Sequence, residues 1–275
     1  MSRGSRLSPS RYLRLSSPRR READDGASLP PHRMRSGGET DESFIAVGDQ
    51  LVDLLTENAG LCADSRVLEI GCGYGRLAHA LRRHGFVGTY LGIDALKPQV
   101  RWCTRRLGGD GFRFRHVDIA NERYNPEGRV AVHDLELGDA RFDVIVAINL
   151  FTHMWPDDVL THLRVVARSL ALDGRAAATF FLLDHERQDA EGDQFAPRMP
   201  FERQPGCRYE SADDPLHRVG YEPKWLVLKG AEAGLVPAGS PLFGAWPEPP
   251  VGRQRQPDHQ DLLVFNRLED ALRRR

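Results

Sequence analysis

Apolar residues recur along the chain with two alternating periods. Phe44, Gly48, Leu51 and Leu55, widened by Val52 and Leu54, share one helical face. That pattern stops at Asn58-Ala59-Gly60, where a glycine suits a helix end. Next, a short strand is predicted at Arg66–Ile70, running into Gly71, Gly73 and Gly75. A helix is predicted over Arg76–His84, burying Leu77, Ala78 and Leu81. The spacing then predicts a strand at Tyr90–Ile93 ending at Asp94, and a helix at Lys97–Leu107 with Val100, Cys103 and Leu107 inward. A third strand is predicted at Phe112–Val117, ending at Asp118. Phe142–Ile148 reads F-D-V-I-V-A-I, the near-continuous apolar run of a strand buried on both faces. Pro156 opens the next helix, and Asp157 and Asp158 complement its N-terminal dipole. This helix is expected to bury Leu160, Leu163, Val166, Ala167 and Leu170 and to stop at Asp173-Gly174, before a fifth strand at Ala176–Leu183. Alternation with short connections predicts an α/β fold, a doubly wound, mostly parallel sheet with helices on both faces.

The last third breaks this rhythm. Residues 184–222 are polar and punctuated by Pro and Gly, too long for an inert connection, and are expected to form a lid or substrate loop. A helix is predicted at about Pro223–Ala233 and a late strand at Leu262–Arg267. A short strand at Leu235–Val236 or at Leu242–Trp246 would pair with it as a hairpin. Residues 1–40, rich in Ser, Pro, Gly and Arg, cannot bury enough surface to offset ordering and are expected to be a disordered arm. One domain, residues 41–275, follows it.

Charge sharpens that division. The 38 basic and 39 acidic residues nearly cancel, yet residues 1–36 hold nine arginines against three acids. The arm therefore carries six net positive charges and the body seven net negative ones. Only Lys97, Lys224 and Lys229 are lysines, so the arginines of the arm partly reflect a habit of the whole chain. An organellar targeting signal remains an alternative reading of that arm. No run approaches the roughly 20 apolar residues that span a bilayer, so no membrane partner is expected. Cys62, Cys72, Cys103 and Cys207 form no metal-binding spacing and suit a reduced, cytoplasmic protein. No metal site is expected.

The chemistry concentrates around Val67-Leu68-Glu69-Ile70-Gly71-Cys72-Gly73-Tyr74-Gly75-Arg76. Glycines between a strand and a helix let the backbone turn sharply and approach a ligand. Asp94, about 20 residues on, can accept both hydroxyls of a ribose, as an adenosine cofactor requires. A nicotinamide site needs a third glycine where Arg76 stands, so that the helix N-terminus faces a pyrophosphate. S-adenosyl-L-methionine has no phosphate, and its ammonium suits an acid such as Glu69. The departure at Arg76 and the presence of Glu69 both favour it.

The segment V-L-E-I-G-C-G-Y-G-R-L resembles the first motif of class I S-adenosylmethionine-dependent methyltransferases. The likeness continues through Leu91-Gly92-Ile93-Asp94, His116-Val117-Asp118-Ile119, Phe142-Asp143-Val144, and Asn149 to Met154, and then through 164–174, covering roughly residues 41–183. It implies a seven-stranded sheet with an antiparallel last strand. It also implies that Gly71, Gly73 and Gly75 line the methionine and ribose, with Glu69 beside the amino-acid end. Asp94 would bind the ribose hydroxyls and Ala95 would lie against the adenine. Asp118 would accept from the adenine amino group, Ile119 would donate its amide to the ring, and the carbonyl of Asn149 would meet the ammonium. His153 is the imidazole that the motifs place near the cofactor. It is the candidate general base, with a packing or capping histidine as the alternative. Cys72 reads as packing, and Phe151 as core filling or as a shield for the methyl group.

The acceptor is less defined. Asn149-Leu150-Phe151-Thr152 lacks both prolines of the D/N-P-P-Y/F motif of methyltransferases acting on amines of DNA bases. The acidic body also lacks the clustered positive charge that nucleic acid requires. A small-molecule acceptor is expected, under a lid including Phe195, Phe201, Tyr209 and His217, with His185 and His217 as further candidate bases. The alternatives are a methyltransferase that the basic arm delivers to RNA or protein, and a cofactor-binding protein without catalysis.

Overall fold

The computed structural model describes residues 29–35, 40–135, 137–183, 199–246 and 260–273. Its first half follows the alternation of periods. Helix α1 (Asp41–Ala59) is capped by the Thr40 hydroxyl, which accepts from the Ser43 amide at 3.2 Å, and ends at left-handed Gly60. Then come β1 (Arg66–Ile70), α2 (Arg76–Arg83), β2 (Thr89–Asp94), α3 (Lys97–Leu107), β3 (Phe112–His116), β4 (Phe142–Ala147), α4 (Pro156–Ser169) and β5 (Leu170–Leu182). These five strands lie parallel in the order β3-β2-β1-β4-β5.

Alternate residues of the strands feed two cores. Val67, Val144 and Val146 pack under α1, α2 and α3, whereas Leu68, Ile70, Ile145 and Ala147 pack under α4 and α5 (Pro223–Ala233). Burial on both faces accounts for the continuous apolar run of β4. The last strand, β11 (Gln260–Arg267), runs antiparallel beside β5. It pairs with both β9 (Leu235–Pro237) and β10 (Leu242–Trp246), so each of the two candidate hairpin strands forms. A short helix, α6 (Leu268–Arg273), follows it.

Two regions differ from the sequence expectation. Helix α4 stops at Ser169, and Leu170 is already extended, paired with Phe142 as the first residue of β5. Leu170 is buried in either geometry, so periodicity could not assign it. The buried face of α4 is also rotated: Val159, His162 and Val165 join Leu163 and Val166 inside, while Leu160 and Ala167 are half-buried. In the expected lid, residues 184–198, with His185 and Phe195, lie outside the described residues. The remainder is not a loop. Strands β6 (Phe201–Gln204), β7 (Cys207–Tyr209) and β8 (Val219–Tyr221) form an antiparallel extension that joins the end of β5 through Phe181–Gly220 and Leu182–Tyr221. The buried Asp261 carboxylate accepts from the Leu182 and Gly244 amides at 2.9 and 2.8 Å, where β11 leaves β5 and β8 takes over. Among the described residues no helix is long and apolar enough to cross a membrane.

The turn between β1 and α2 depends on a glycine for space as well as conformation. Gly75 has φ +75°, and a Cβ on it would stand 2.6 Å from Leu107 Cδ1 and 3.1 Å from Cys103 Sγ. Gly75→Ala should therefore lower unfolding free energy by about 1–3 kcal/mol in urea titrations. An unchanged midpoint would contradict this packing.

Candidate functional site

The C-terminal ends of β1, β2 and β4 open onto a cavity of about 250 Å³. Parallel register places the glycine turn beside the tip of β2, and the Gly71 and Cys72 amides donate to the Ile93 carbonyl at 2.9 and 3.1 Å. Asp94 completes the junction. One oxygen of its carboxylate accepts from the Gly73 amide and the other from the Leu96 amide, both at 2.8 Å. Burial pushes this carboxyl above its ordinary value, and the amide hydrogen bonds oppose that rise. Each oxygen keeps a further lone pair for a ligand.

Of the residues singled out in the sequence, Glu69, Gly71, Gly73, Asp94, Ala95, Ile119, Asn149 and His153 line this cavity, as does Cys72. Gly75 and Asp118 are not among its lining residues. Gly75 instead lets the glycine turn pack on α3. The Asp118 carboxylate accepts from Asn125 Nδ2 at 3.0 Å, and its carbonyl accepts from the Arg129 and Val130 amides. It thereby holds an excursion over residues 119–130 that carries Ile119, Asn121 and Tyr124 to the cavity. Phe151 is core: fully buried, it stacks on Phe180 at 5.2 Å between ring centroids.

At one end of the cavity lie acidic and basic side chains. Glu69 is 5 % exposed and accepts a hydrogen bond from the Tyr90 hydroxyl. Gly92 lies opposite Glu69 in the strand pair, and a Cβ there would come within 2.9 Å of that hydroxyl, so glycine clears its path. Burial raises the Glu69 carboxyl to about 8, against the pull of the Tyr90 hydrogen bond and the Arg76 cation. The Arg76 and Arg35 guanidinium groups lie 5.2 and 5.3 Å from the Phe44 ring centroid, and both line the cavity. Arg35 is anchored by the Pro30 carbonyl at 2.7 Å and by Asp41 at 2.5 Å. Residues 29–35, read from sequence as part of the arm, thus form a turn whose Met34 and Arg35 wall the site. Nothing marked Arg35 among the arginines around it. Arg76, noticed in the motif only as a missing glycine, is a cation at the glycine turn.

At the other end the cavity is lined by an amide and an imidazole, with an ion pair on the rim. Asn149 adopts a left-handed φ of +53°, uncommon outside glycine. Its amide donates to Thr179 Oγ1 at 2.8 Å and its side-chain carbonyl accepts from Gln260 Nε2. The 3-10 turn Phe151–His153 follows. His153 Nδ1 lies 3.0 Å from the Leu216 carbonyl. A carbonyl only accepts, so Nδ1 carries the proton and Nε2 keeps its lone pair. Burial lowers the His153 pKa below 6.5, opposed by that carbonyl. The Tyr124 ring stands edge-on to His153 at 5.7 Å. Arg123 pairs with Asp214, and Trp155 Nε1 donates to Glu122 Oε2 at 3.2 Å, clasping this rim. His217 sits on it, its Nδ1 3.5 Å from Arg123 Nη2. Tyr209 is stacked on Phe201 at 5.3 Å. No group of three or more His, Cys, Asp or Glu among the described residues is placed to hold a metal ion.

Comparison with known proteins places this geometry. Residues 67–174 match the family model described as a methyltransferase domain. A fatty-acid O-methyltransferase of Mycolicibacterium smegmatis is 31% identical over 105 residues, 38% of this chain and 33% of that protein. The chain thus spans about a third of the length of that curated relative. Among solved structures, a magnesium protoporphyrin IX methyltransferase from Synechocystis PCC 6803 superposes with TM-score 0.52 at 14% identity, over 86% of this chain and 91% of that one. The 1,6-didemethyltoxoflavin-N1-methyltransferase of Burkholderia thailandensis gives 0.50 at 18% identity, over 82% and 79%. At these identities the two structures share the fold.

The raised Glu69 pKa has a signed consequence. Between its ordinary value of 4.5 and about 8 the folded protein keeps a proton that the unfolded chain releases. Glu69 therefore contributes progressively less stability as pH rises through that window. Glu69→Gln, which can still accept from Tyr90, should unfold like the parent at pH 5 and become more stable than it at pH 8, by on the order of 1 kcal/mol or more. Parallel stability curves for the two proteins would contradict the assignment.

Proposed function

We propose that this chain, whose residues 67–174 match a methyltransferase-domain model, is a class I, S-adenosylmethionine-dependent methyltransferase that transfers a methyl group to a small-molecule acceptor. The observation that carries the reading is the Asp94 carboxylate, drawn to the glycine turn by the Gly73 and Leu96 amides in a cavity that His153 also lines. The donor set fits the cofactor group by group. Glu69 and the Asn149 carbonyl suit its ammonium, and Arg35 and Arg76 suit its carboxylate. The open lone pairs of Asp94 suit the ribose hydroxyls, while Ala95 and Ile119 flank the adenine. Asp118 acts through the turn that positions Ile119. When bound, S-adenosylmethionine supplies an electrophilic methyl group.

The remaining task of the chain is to hold a nucleophile and take its proton. His153 is neutral at pH 7, and the Leu216 carbonyl keeps its proton on Nδ1. Its Nε2 is the base, receiving the proton of an acceptor hydroxyl or amine. The fatty-acid O-methyltransferase relative supports an acceptor of small-molecule size. The net negative charge of the folded part disfavours a nucleic-acid footprint on it. The cysteine usage supports a cytoplasmic setting.

Asp94→Ala should weaken S-adenosylhomocysteine binding about tenfold or more by calorimetry, and undiminished affinity would refute this cofactor site. Screening small-molecule acceptors with S-adenosylmethionine should reveal release of S-adenosylhomocysteine. Binding without product across small and macromolecular panels would leave a cofactor-binding protein instead. His153→Ala should lower kcat by roughly 10²–10⁴ with cofactor affinity unchanged. The parent kcat/KM should stay flat at pH 7 and fall only below 6.5. Full activity in the alanine variant would remove His153 from the proton transfer.

A further inference from the structure

A second imidazole lines the same cavity. His162, on α4, is only 2 % exposed although histidine is polar at both nitrogens. Its Nδ1 lies 2.8 Å from the Asp158 carbonyl, which can only accept, so the proton sits on Nδ1 and the lone pair on Nε2. The ring is held edge-on to Phe151, 5.9 Å between centroids at 74°. No hydrogen bond joins Nε2 to any described residue. Burial lowers the pKa to about 4, with the Asp158 carbonyl opposing, so the imidazole is uncharged at neutral pH.

Nε2 is not among the fully buried polar atoms that lack a partner, so it keeps accessible surface in a ring otherwise 2 % exposed. A leucine or phenylalanine would fill the same helix position without the cost of desolvating a polar ring. The cost is offset when a ligand brings a donor to Nε2. His153 has the same tautomer, fixed by the same kind of partner, so the cavity presents two neutral nitrogen acceptors, and the Arg123 cation that acts on His153 is already paired with Asp214. Arg35 and Arg76 flank Phe44 on α1, the helix packed on the opposite face of the sheet from α4.

We propose that His162 is a specificity-determining residue whose Nε2 accepts a hydrogen bond from a hydroxyl or N–H of the methyl acceptor, distinct from the group whose proton goes to His153. The acceptor class is then an uncharged organic molecule with at least two hydrogen-bond donors, such as a diol or a dihydroxyarene. A carboxylate, which has no proton to donate, would face two lone pairs there. A site built to receive a donor discriminates against the analogue lacking it, because the buried partner is then left unpaired.

This inference rests on the methyltransferase reading, and its test separates the two. In ¹⁵N-labelled protein saturated with S-adenosylhomocysteine, His162 should show the neutral Nδ1–H tautomer from pH 8 down to about 5, and phenol should shift its Nε2 resonance. Phenol should bind about fivefold to tenfold more tightly than toluene, with benzoate weakest. In His162→Leu the advantage of phenol over toluene should fall within twofold while toluene binding is kept. Should that variant fail to fold, the tautomer and Nε2 response of the parent protein still decide. A proton on Nε2, or an Nε2 resonance unmoved by phenol with equal phenol and toluene affinities, overturns the role of His162. Failure to bind S-adenosylhomocysteine overturns the function itself.

Discussion

The Asp94 carboxylate joins the turn after β1 to the turn after β2 through one backbone amide from each. Strand β1 needs a left-handed glycine turn to reverse into α2, and such a turn exposes amides that the sheet ladder cannot satisfy. Parallel pairing of Ile70 with Ile93 brings the next acid within reach. A charged acceptor makes stronger hydrogen bonds than a neutral one, and so can withstand the burial that raises its own pKa. The positions of Gly71, Gly73, Ala95 and Leu96 all refer to this one group. The cavity follows from their separation.

Around that junction polarity is graded. Near β1 the chain buries a carboxyl, Glu69, with Arg76 close enough to influence it and Arg35 across the Phe44 ring. Near α4 it buries imidazoles and takes their Nδ1 protons into backbone carbonyls. Low dielectric strengthens both arrangements, but it favours charge only where opposite charges meet. A zwitterionic ligand matches the first region and an uncharged one the second.

The mostly parallel sheet, the helices on both faces and the strand tips that line the cavity were legible in the sequence, because strand tips follow from periodicity and the glycine turn follows β1. The boundary at Leu170 was not, since a buried leucine serves a helix end and a strand start equally. Strands β6 to β8 were obscured because they are short: Phe201–Gln204 is wholly exposed and Cys207–Tyr209 has three residues. Arg35 belongs to a stretch whose composition argues for disorder, and only its contacts with Pro30 and Asp41 distinguish it. Asp118 stood in the right motif, but its carboxylate turned to Asn125, a partner no local spacing announces. His162 was invisible as chemistry because it falls on a helical face expected to be merely apolar.

The Leu216 carbonyl belongs to the extension between β7 and β8, outside the parallel sheet, yet it decides which nitrogen of His153 holds the proton. Regions of this kind are natural points for exchanging substrate preference between related enzymes. Here such a graft would also reach the tautomer of a cavity-lining histidine. A replacement segment without a carbonyl in the place of Leu216 would free the imidazole to carry its proton on either nitrogen.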